Sequence, residues 1–212
     1  MSLAESQSGF IFSLKALAAA NVSHNDLKPS NFLVDWPEGT TPTVSNLEVF
    51  LTDFGMVDKA GGTPVYCSPE GLTGTTPGVS DMFSLGRVFT FLVLEDKSLF
   101  YTLVFFTILD LADVRSIRNI LSSFSILNLI REMTHIEKNK RIKVHQVEQR
   151  LANINIEVIT KGDIMNELSA QGHLALLNSF ANAEIDDFQV NTMLNERSVT
   201  IILHILLNNI LK

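Results

Sequence analysis

The sequence predicts a mainly α-helical chain with one small β-hairpin. Two short apolar runs, at 32–34 and 47–52, are separated by a turn-rich insertion at 36–42, which is typical of two strands joined by a loop. Several longer segments instead repeat apolar residues at helical spacing. Since 46% of the 212 residues are apolar, the chain can build the core of one domain, or of one domain with an appendage.

The predicted helices lie on both sides of the hairpin. The first covers 5–20, where the apolar spacing and the cation Lys15 indicate a packed helix rather than a signal peptide. Residues 82–94 are apolar on nearly every side, as in a centrally buried helix. Further helices are predicted at 99–112, 117–133 and 144–151. The apolar run in the first of these is about half the length that spans a bilayer, so we expect no membrane segment.

Charge and cysteine content restrict the partners and the compartment. The formal net charge is −7 and the isoelectric point is near 5.2, which argues against a surface that binds nucleic acid. Cys67 is the single cysteine of the sequence and cannot form an internal disulfide. The sequence therefore favours a reducing, intracellular compartment, and we expect the chain to be cytoplasmic.

Two segments beside the hairpin carry residues suited to phosphoryl transfer. Residues 24–31 (HNDLKPSN) combine the carboxylate of Asp26, the ammonium of Lys28 and the amide of Asn31. Asp53 follows the second strand and begins the sequence DFG. Phosphoryl transfer requires a carboxylate near the attacking hydroxyl, a cation near the phosphate and hard oxygen donors for Mg²⁺. Along the chain, Asn31 would directly precede the hairpin and Asp53 would directly follow it.

These segments resemble the catalytic loop and the metal-binding loop of the eukaryotic protein kinases. Three more motifs follow in family order: residues 62–70 (GTPVYCSPE) resemble the end of an activation segment, 81–86 (DMFSLG) the start of the long helix under the site, and 139–142 (NKRI) the late arginine segment. The chain is thereby identified as a member of this superfamily, of the Ser/Thr type. The resemblance implies a protein-kinase-like C-lobe at 1–155, followed by a helical extension at 156–212.

The resemblance implies a role for each residue of the candidate site. Asp26 would be the catalytic base, and Lys28 would contact the transferring phosphate of ATP. Asn31 and Asp53 would bind Mg²⁺. The lysine also suggests a protein substrate that is phosphorylated on serine or threonine. The alternative interpretations are a helix or turn cap for Asp26 and a turn residue before glycine for Asp53.

Five other residues have structural roles in the family. His24 serves packing and backbone hydrogen bonding, and Thr63 helps to position the catalytic base and the lysine. Asp81 should accept hydrogen bonds from the backbone of the catalytic loop. Glu70 and Arg141 should form an ion pair between the activation segment and the late helices, and breaking such a pair is costly if it is buried.

Asn25 departs from the family pattern, which has an arginine there that pairs with a phosphate on the activation segment. An asparagine cannot form that charge-assisted bidentate contact. Residues 56–62 also contain no hydroxyl group that could be phosphorylated. Because the phosphate acceptor and its receptor are both missing, we predict a non-RD kinase pattern, in which phosphorylation does not switch this segment.

The sequence leaves two functions open. No Gly-rich loop, β3 lysine or αC glutamate can be placed before the catalytic loop, and in the family these N-lobe elements cover and hold the ATP phosphates. The first hypothesis is a Ser/Thr protein kinase present as an N-terminally truncated or partial chain, with little phosphotransfer by the chain alone. The second is a catalytically inactive half-kinase that acts as a protein-interaction module. A partner protein would then cover the surface that the N-lobe normally occupies.

The kinase resemblance stops near residue 157. Residues 172–177 and 183–186 faintly resemble the second helix and exit of an ankyrin repeat, and 198–205 the start of the next repeat. The alternative is a helical tail that packs on the lobe. Two partial repeats would be too few to stand alone.

Overall fold

A computed structural model describes residues 8–41, 48–74, 76–94, 124–154 and 159–170 of the chain. The elements are, in chain order, α1 (Ser8–Ala19), β1 (Phe32–Asp35), β2 (Glu48–Leu51), α2 (Ser80–Val93), α3 (Ser125–Met133), α4 (Val144–Leu151) and α5 (Lys161–Ala170). Helices dominate these residues, and the two strands pair in one antiparallel sheet. The predicted fold class, mainly α with a small hairpin, is confirmed.

Tertiary contacts divide the chain into two compact units. The first comprises Met1–Phe89 and Ser125–Ile156, and the second comprises Thr90–Phe124 and Glu157–Lys212. All the candidate site residues belong to the first unit, so the chemistry proposed below depends on that unit.

The described part of the second unit includes the start of α5. Leu94 and Ile159 form a parallel bridge, and the Ile159 amide donates to the Val93 carbonyl at 2.8 Å. Thr160 and Asp163 then form a capping box: the Asp163 amide donates to Thr160 Oγ1 at 3.1 Å, and the Thr160 amide donates to Asp163 Oδ2 at 2.8 Å. This reciprocal pair explains why a helix begins at this point of the sequence.

The β-hairpin sets the spacing between the two chemical motifs. β1 and β2 pair antiparallel, with Phe32 opposite Leu51. One step beyond that pair, the Thr52 amide donates to the Asn31 carbonyl at 3.0 Å. The backbone therefore places Asn31 beside Thr52, and Asp53 follows directly. Both predicted metal ligands thus lie at the same end of the paired strands.

The helix α2 supplies much of the core of the first unit. The side chains of Met82, Phe83 and Leu85 are at most 2% exposed, and burial of each such side chain stabilises the fold by about 1.5–3 kcal/mol. A Cβ atom on Gly86 would lie 2.9 Å from Met133 Cβ, so the glycine allows α2 and α3 to approach closely. The prediction of a centrally buried helix agrees with this packing.

The shorter helices of the first unit each bury one face. Leu14 of α1, Leu129 of α3 and Val147 of α4 are at most 3% exposed. On the outside, an exposed ion pair between Lys15 and Glu148 links α1 to α4. α3 and α4 divide into one apolar and one polar face, as expected of amphipathic helices around a core, whereas α1 also exposes the apolar side chain of Phe12.

Some predicted segments lie outside the described residues. They are the helix at 99–112, the part of the predicted helix at 117–133 that precedes residue 124, and the ankyrin-like motifs from 172 onward. In the predicted helical extension at 156–212, the described residues include the helix α5. No helix in the described part of the chain is both long and apolar enough to cross a membrane.

Candidate active site

The backbone of the catalytic loop is held by two carboxylates. The amides of His24 and Asn25 donate to the two oxygens of Asp81, at 2.8 Å and 3.0 Å. The preceding amide, that of Ser23, donates to Asp58 Oδ1 at 3.0 Å. Three successive N–H groups of an irregular buried segment are therefore satisfied by side chains, because no helix or sheet partner is present to accept them.

Asp81 anchors the loop to the first turn of α2. Its side chain is buried, and that burial raises the pKa of the Asp81 carboxyl, while the N–H groups of Asn25 and His24 act in the opposite direction; the net shift is upward. Because each of its oxygens accepts an N–H hydrogen bond, the loop geometry uses the ionised form. The hydrogen bonds expected from the sequence between Asp81 and the loop backbone are present.

His24 links the catalytic loop to the segment that follows the hairpin. Its Nε2 lies 2.9 Å from the Thr52 carbonyl, and its Nδ1 accepts the Asp26 amide at 3.3 Å. These two partners require a neutral imidazole with its proton on Nε2. The ring also packs on Phe54, with ring centroids 5.1 Å apart. His24 is therefore a buried structural residue in this site.

Asp26 lies at the centre of the hydrogen-bond network. Lys28 Nζ donates to its Oδ2 at 2.7 Å, while Thr63 donates to its Oδ1 from both the amide (2.9 Å) and the hydroxyl (2.7 Å). Lys28 Nζ also donates to Thr63 Oγ1 at 3.2 Å, which closes a triangle of three side chains. Burial raises the pKa of Asp26, but the hydrogen bonds from Lys28 and Thr63 outweigh it, so the net shift is downward. Asp26 is consequently ionised at neutral pH.

Asn31 and Asp53 provide donors that fit Mg²⁺. The amide nitrogen of Asn31 donates to the Asp26 carbonyl at 2.7 Å, so the amide oxygen is the atom that could ligate a metal. Asp53 is exposed and adopts a left-handed backbone conformation (φ 59°, ψ 69°), with Oδ1 accepting the Gly55 amide at 3.4 Å. A carboxylate has about four acceptor positions, so this contact leaves room for a cation. Mg²⁺ commonly takes one or two such protein oxygens together with substrate phosphates and water.

The activation segment approaches the catalytic loop closely at Gly62. A Cβ atom at this position would lie 2.2 Å from the Asn25 carbonyl oxygen, and φ is +103°, so both the space and the backbone conformation require glycine. This contact immediately precedes Thr63, whose amide and hydroxyl reach Asp26. The two sides of the segment around Thr63 are joined by a backbone bond, in which the Gly61 amide donates to the Gly71 carbonyl at 2.9 Å.

The Asn25 side chain bonds a nearby backbone group and does not extend to an anion, as an arginine at this position would. Its backbone is left-handed (φ 66°), and its side-chain nitrogen donates only to the Met56 carbonyl, at 3.4 Å. Its Oδ1 is buried without a hydrogen-bond partner among the described residues. The side chain therefore stays local, where a longer guanidinium would extend to an anion.

Cys67 is a protonated thiol rather than a nucleophile. It is half-buried and donates to the Gly61 carbonyl at 2.9 Å. Burial, and then the negative charges of Glu70 and Asp26, raise the pKa of Cys67 to about 11. Thiol reactivity depends on the thiolate, which is scarce at neutral pH with such a pKa.

The ion pair expected between Glu70 and Arg141 is present, with Arg141 buried and Glu70 half-buried. Two nitrogens of Arg141 donate to the two carboxylate oxygens of Glu70 as a fork. Its remaining N–H groups donate to the carbonyls of Val79, Ile136 and His135 at 3.2, 3.2 and 2.6 Å. All five donors of the guanidinium are thus used. Burial raises the pKa of Glu70, but the bonds from Arg141 outweigh it and the net shift is downward.

The structure brings the predicted residues together in two groups. The first is joined by direct hydrogen bonds and by the backbone of the catalytic loop, and it contains His24, Asp26, Lys28, Asn31, Thr63 and Asp81. Asp53 adjoins this group through the pairing of the hairpin. The second group is the Glu70–Arg141 pair.

Sequence reasoning missed two residues that support the site. Asp58 accepts the Ser23 amide, and the Phe83 ring lies 4.9 Å from the guanidinium carbon of Arg141 and equally far from that of Arg87. A guanidinium on an aromatic face is a favourable contact, stronger when it is desolvated. The helical pattern of α2 indicated that Phe83 is buried, but it gave no signal for its cationic neighbours.

Comparison with known proteins agrees with this geometry. A family model described as the protein kinase domain matches residues 8–151, which is more than half of the chain. The chain belongs to the protein kinase family. The kinase match includes the catalytic loop, the DFG segment and the Glu70–Arg141 pair.

Several curated relatives of this chain are named as serine/threonine-protein kinases. Serine/threonine-protein kinase AfsK of Streptomyces coelicolor is 37% identical over 91 residues, which are 39% of this chain and 11% of the relative. Probable serine/threonine-protein kinase mkcE of Dictyostelium discoideum is 35% identical over 88 residues, 37% of this chain and 11% of the relative. Serine/threonine-protein kinase ULK1 of Homo sapiens is 28% identical over 85 residues, which are 35% of this chain and 8% of the relative. The alignments thus span about a tenth of the length of these relatives.

The Glu70–Arg141 pair predicts a large loss of stability in Arg141→Ala. The substitution would leave the half-buried Glu70 carboxylate and three carbonyls without their donor, which costs up to about 3–5 kcal/mol or roughly 6–20 °C in melting temperature. Calorimetric melting measures this change. Arg150→Ala is a matched control, because the Arg150–Glu132 pair is 45% and 36% exposed and exposed pairs contribute at most about 1 kcal/mol. Equal melting of Arg141→Ala and wild type would contradict the role of the pair.

The same pair predicts how stability changes with pH. The pKa of Glu70 is lower in the folded chain than its ordinary value of 4.5, so its contribution is complete above that value and is lost as the pH falls through the folded pKa. The difference in unfolding free energy between wild type and Glu70→Gln should therefore be largest near neutral pH and shrink in acid. Urea denaturation at a series of pH values measures it. A difference that grows toward acid pH would have the wrong sign.

Proposed function

We propose that this kinase transfers a phosphoryl group from Mg-ATP to a serine or threonine hydroxyl of a protein substrate. The observation that carries the proposal is the arrangement around Asp26, whose ionised carboxylate is fixed by Lys28 and by both donors of Thr63. The Ser/Thr-type relatives and the presence of Lys28 support this class of acceptor.

Asp26 can orient a substrate hydroxyl by accepting its hydrogen bond. Its four carboxylate contacts are with Lys28, Thr63 (twice) and Asn31, and the contact to Asn31, at 3.3 Å, is the longest. A substrate hydroxyl can take that place, because Asn31 keeps its shorter bond to the Asp26 carbonyl. Phosphoryl transfer passes through a loose transition state, so orientation of the hydroxyl contributes more than the basicity of Asp26.

Lys28, Asn31 and Asp53 can hold the charged part of the substrate. Mg-ATP, when bound, supplies the phosphoryl group and the cation that neutralises its charge. Asn31 and Asp53 present oxygen donors from neighbouring backbone positions, and Lys28 is a cation within hydrogen-bond distance of Asp26. A unit charge about 4 Å from an anion contributes roughly 4 kcal/mol at an effective dielectric near 20. In this proposal Lys28 would contact the transferring phosphate, and Asn31 and Asp53 would bind the cation.

A second function, an inactive interaction module, is supported by the apolar surface of the hairpin. Leu33 and Phe50 are cross-strand neighbours that are 56% and 47% exposed, and Phe54 beyond them is 50% exposed. Contiguous exposed apolar side chains are typical of ligand grooves and of protein interfaces. A bound nucleotide covers such a surface in the first function, and a partner protein covers it in the second.

Binding and transfer can be separated with two substitutions in the full chain. Asp53→Ala should abolish the binding of Mg-ATP, since it removes a carboxylate ligand, whereas Asp26→Asn should retain binding and lower phosphotransfer to a Ser/Thr acceptor peptide by about 10²–10⁴. Isothermal titration and ³²P transfer measure the two effects. Asp35→Ala, at the other end of the same hairpin, removes an exposed carboxylate and should change neither.

The outcomes distinguish the two functions. Wild-type chain that does not bind millimolar Mg-ATP, but does bind a partner protein through Leu33 and Phe50, would favour the interaction module. Phosphotransfer that Asp26→Asn leaves unchanged would exclude Asp26 as the residue that orients the hydroxyl.

A further inference from the structure

Asp58 makes a contact to the catalytic loop that no part of the proposed reaction uses. Its Oδ1 accepts the Ser23 amide at 3.0 Å, and its own amide donates to the Ser23 carbonyl at 3.1 Å. Ser23 is fully buried. Asp58 and Ser23 therefore form a reciprocal pair between the segment after Asp53 and the residue that directly precedes the catalytic loop.

The backbone of Asp58 shows that its side chain has a role. Its φ is +54°, in the left-handed region that favours glycine. Aspartate tolerates this conformation better than most residues because its short side chain can hydrogen-bond nearby backbone groups. The Asp58 carboxylate instead accepts the distant Ser23 amide, while the neighbouring Lys59 side chain closes the turn by donating to the Gly55 carbonyl at 2.8 Å.

The segment after Asp53 is thereby attached to the catalytic loop at both ends. Asp58 accepts the Ser23 amide near the start of this segment, and Thr63 donates to Asp26 five residues later. Between them, Gly62 lies against the Asn25 carbonyl oxygen. Asn25 does not attach the segment by binding a phosphate, as the family's arginine does, because its side chain donates to the Met56 carbonyl.

We propose that Asp58 is a positioning residue that holds the activation segment on the catalytic loop in place of a phosphate–arginine contact. The Ser23 hydrogen bond fixes the turn at Asp58, the turn fixes the approach of Gly62, and this approach places the Thr63 donors on Asp26. The segment is consequently ordered without a covalent switch. The inference deepens the proposed function, since the geometry that it maintains is that of the phosphoryl-transfer site.

Two substitutions separate the carboxylate from the backbone conformation. Asp58→Gly removes the acceptor and retains the left-handed turn, whereas Asp58→Asn retains an amide oxygen that can accept the Ser23 amide and also tolerates the turn. Asn21→Gly is a matched control. Asn21 also has a positive φ, of 57°, and it is exposed and lies outside the segment.

Hydrogen–deuterium exchange of the full chain, read by mass spectrometry on peptides that cover 21–27 and 54–62, tests the proposal. In Asp58→Gly both peptides should exchange roughly ten- to a hundredfold faster, as expected for loss of a hydrogen bond to a charged acceptor. Asp58→Asn should exchange more slowly than Asp58→Gly, because its neutral amide oxygen still accepts the Ser23 amide, and Asn21→Gly should exchange as wild type does. Exchange in the α3 peptide should be the same in all four proteins, since the effect is local.

Three results would overturn the proposal. They are exchange in Asp58→Gly that matches wild type, an Asp58→Asn variant as fast as Asp58→Gly, and an equal acceleration in α3, which would mean general destabilisation. Phosphotransfer is a separate measurement: Asp58→Gly should lower kcat more than it raises KM for ATP, and Asp58→Asn should restore kcat. If wild type transfers no phosphate, the proposed function fails, while the exchange data still decide the role of Asp58.

Discussion

The buried carboxylate of Asp81 holds the catalytic loop through the amides of His24 and Asn25, and the rest of the site depends on these two bonds. The loop before Pro29 has neither helical nor sheet hydrogen bonds of its own. Without an acceptor for its buried N–H groups, its backbone would be costly to bury and free to change conformation. Because Asp81 lies in the first turn of α2, whose Met82, Phe83 and Leu85 side chains are buried, the loop that carries Asp26 is attached directly to the core.

Around this anchor, the other elements each fix one side of Asp26. The hairpin places Asn31 and Asp53 together through a backbone bond at the end of its strands. The activation segment supplies Thr63, whose two donors fix the orientation of the Asp26 carboxylate. The Glu70–Arg141 pair lies farther along the same segment and ties it to the late helices with all five guanidinium donors. The geometry of the candidate site and the stability of the fold therefore depend on neighbouring polar contacts of the same segment.

Local patterns explain why much of this arrangement could be predicted. Apolar spacing predicted helices at the positions of α1 to α4, and a turn-rich insertion between two apolar runs predicted the hairpin that joins Asn31 to Asp53. The order of the kinase motifs predicted the Glu70–Arg141 pair. The bond between Asp58 and Ser23 could not be predicted, because it joins residues far apart in the sequence through a left-handed turn that no residue pattern marked. The contact of the Asn25 side chain could not be predicted either, because it bonds a backbone carbonyl, and every residue in the sequence carries one.

Amide exchange in an Asp81→Asn variant tests the central claim most directly. Asparagine keeps one acceptor oxygen but presents an NH₂ group to the second loop amide, so only one of the two bonds can survive. We expect either the His24 or the Asn25 amide to exchange at least about tenfold faster than in wild type, with phosphotransfer reduced and α2 still protected. Wild-type protection of both amides in this variant would contradict the account, because the loop would then hold its conformation without Asp81.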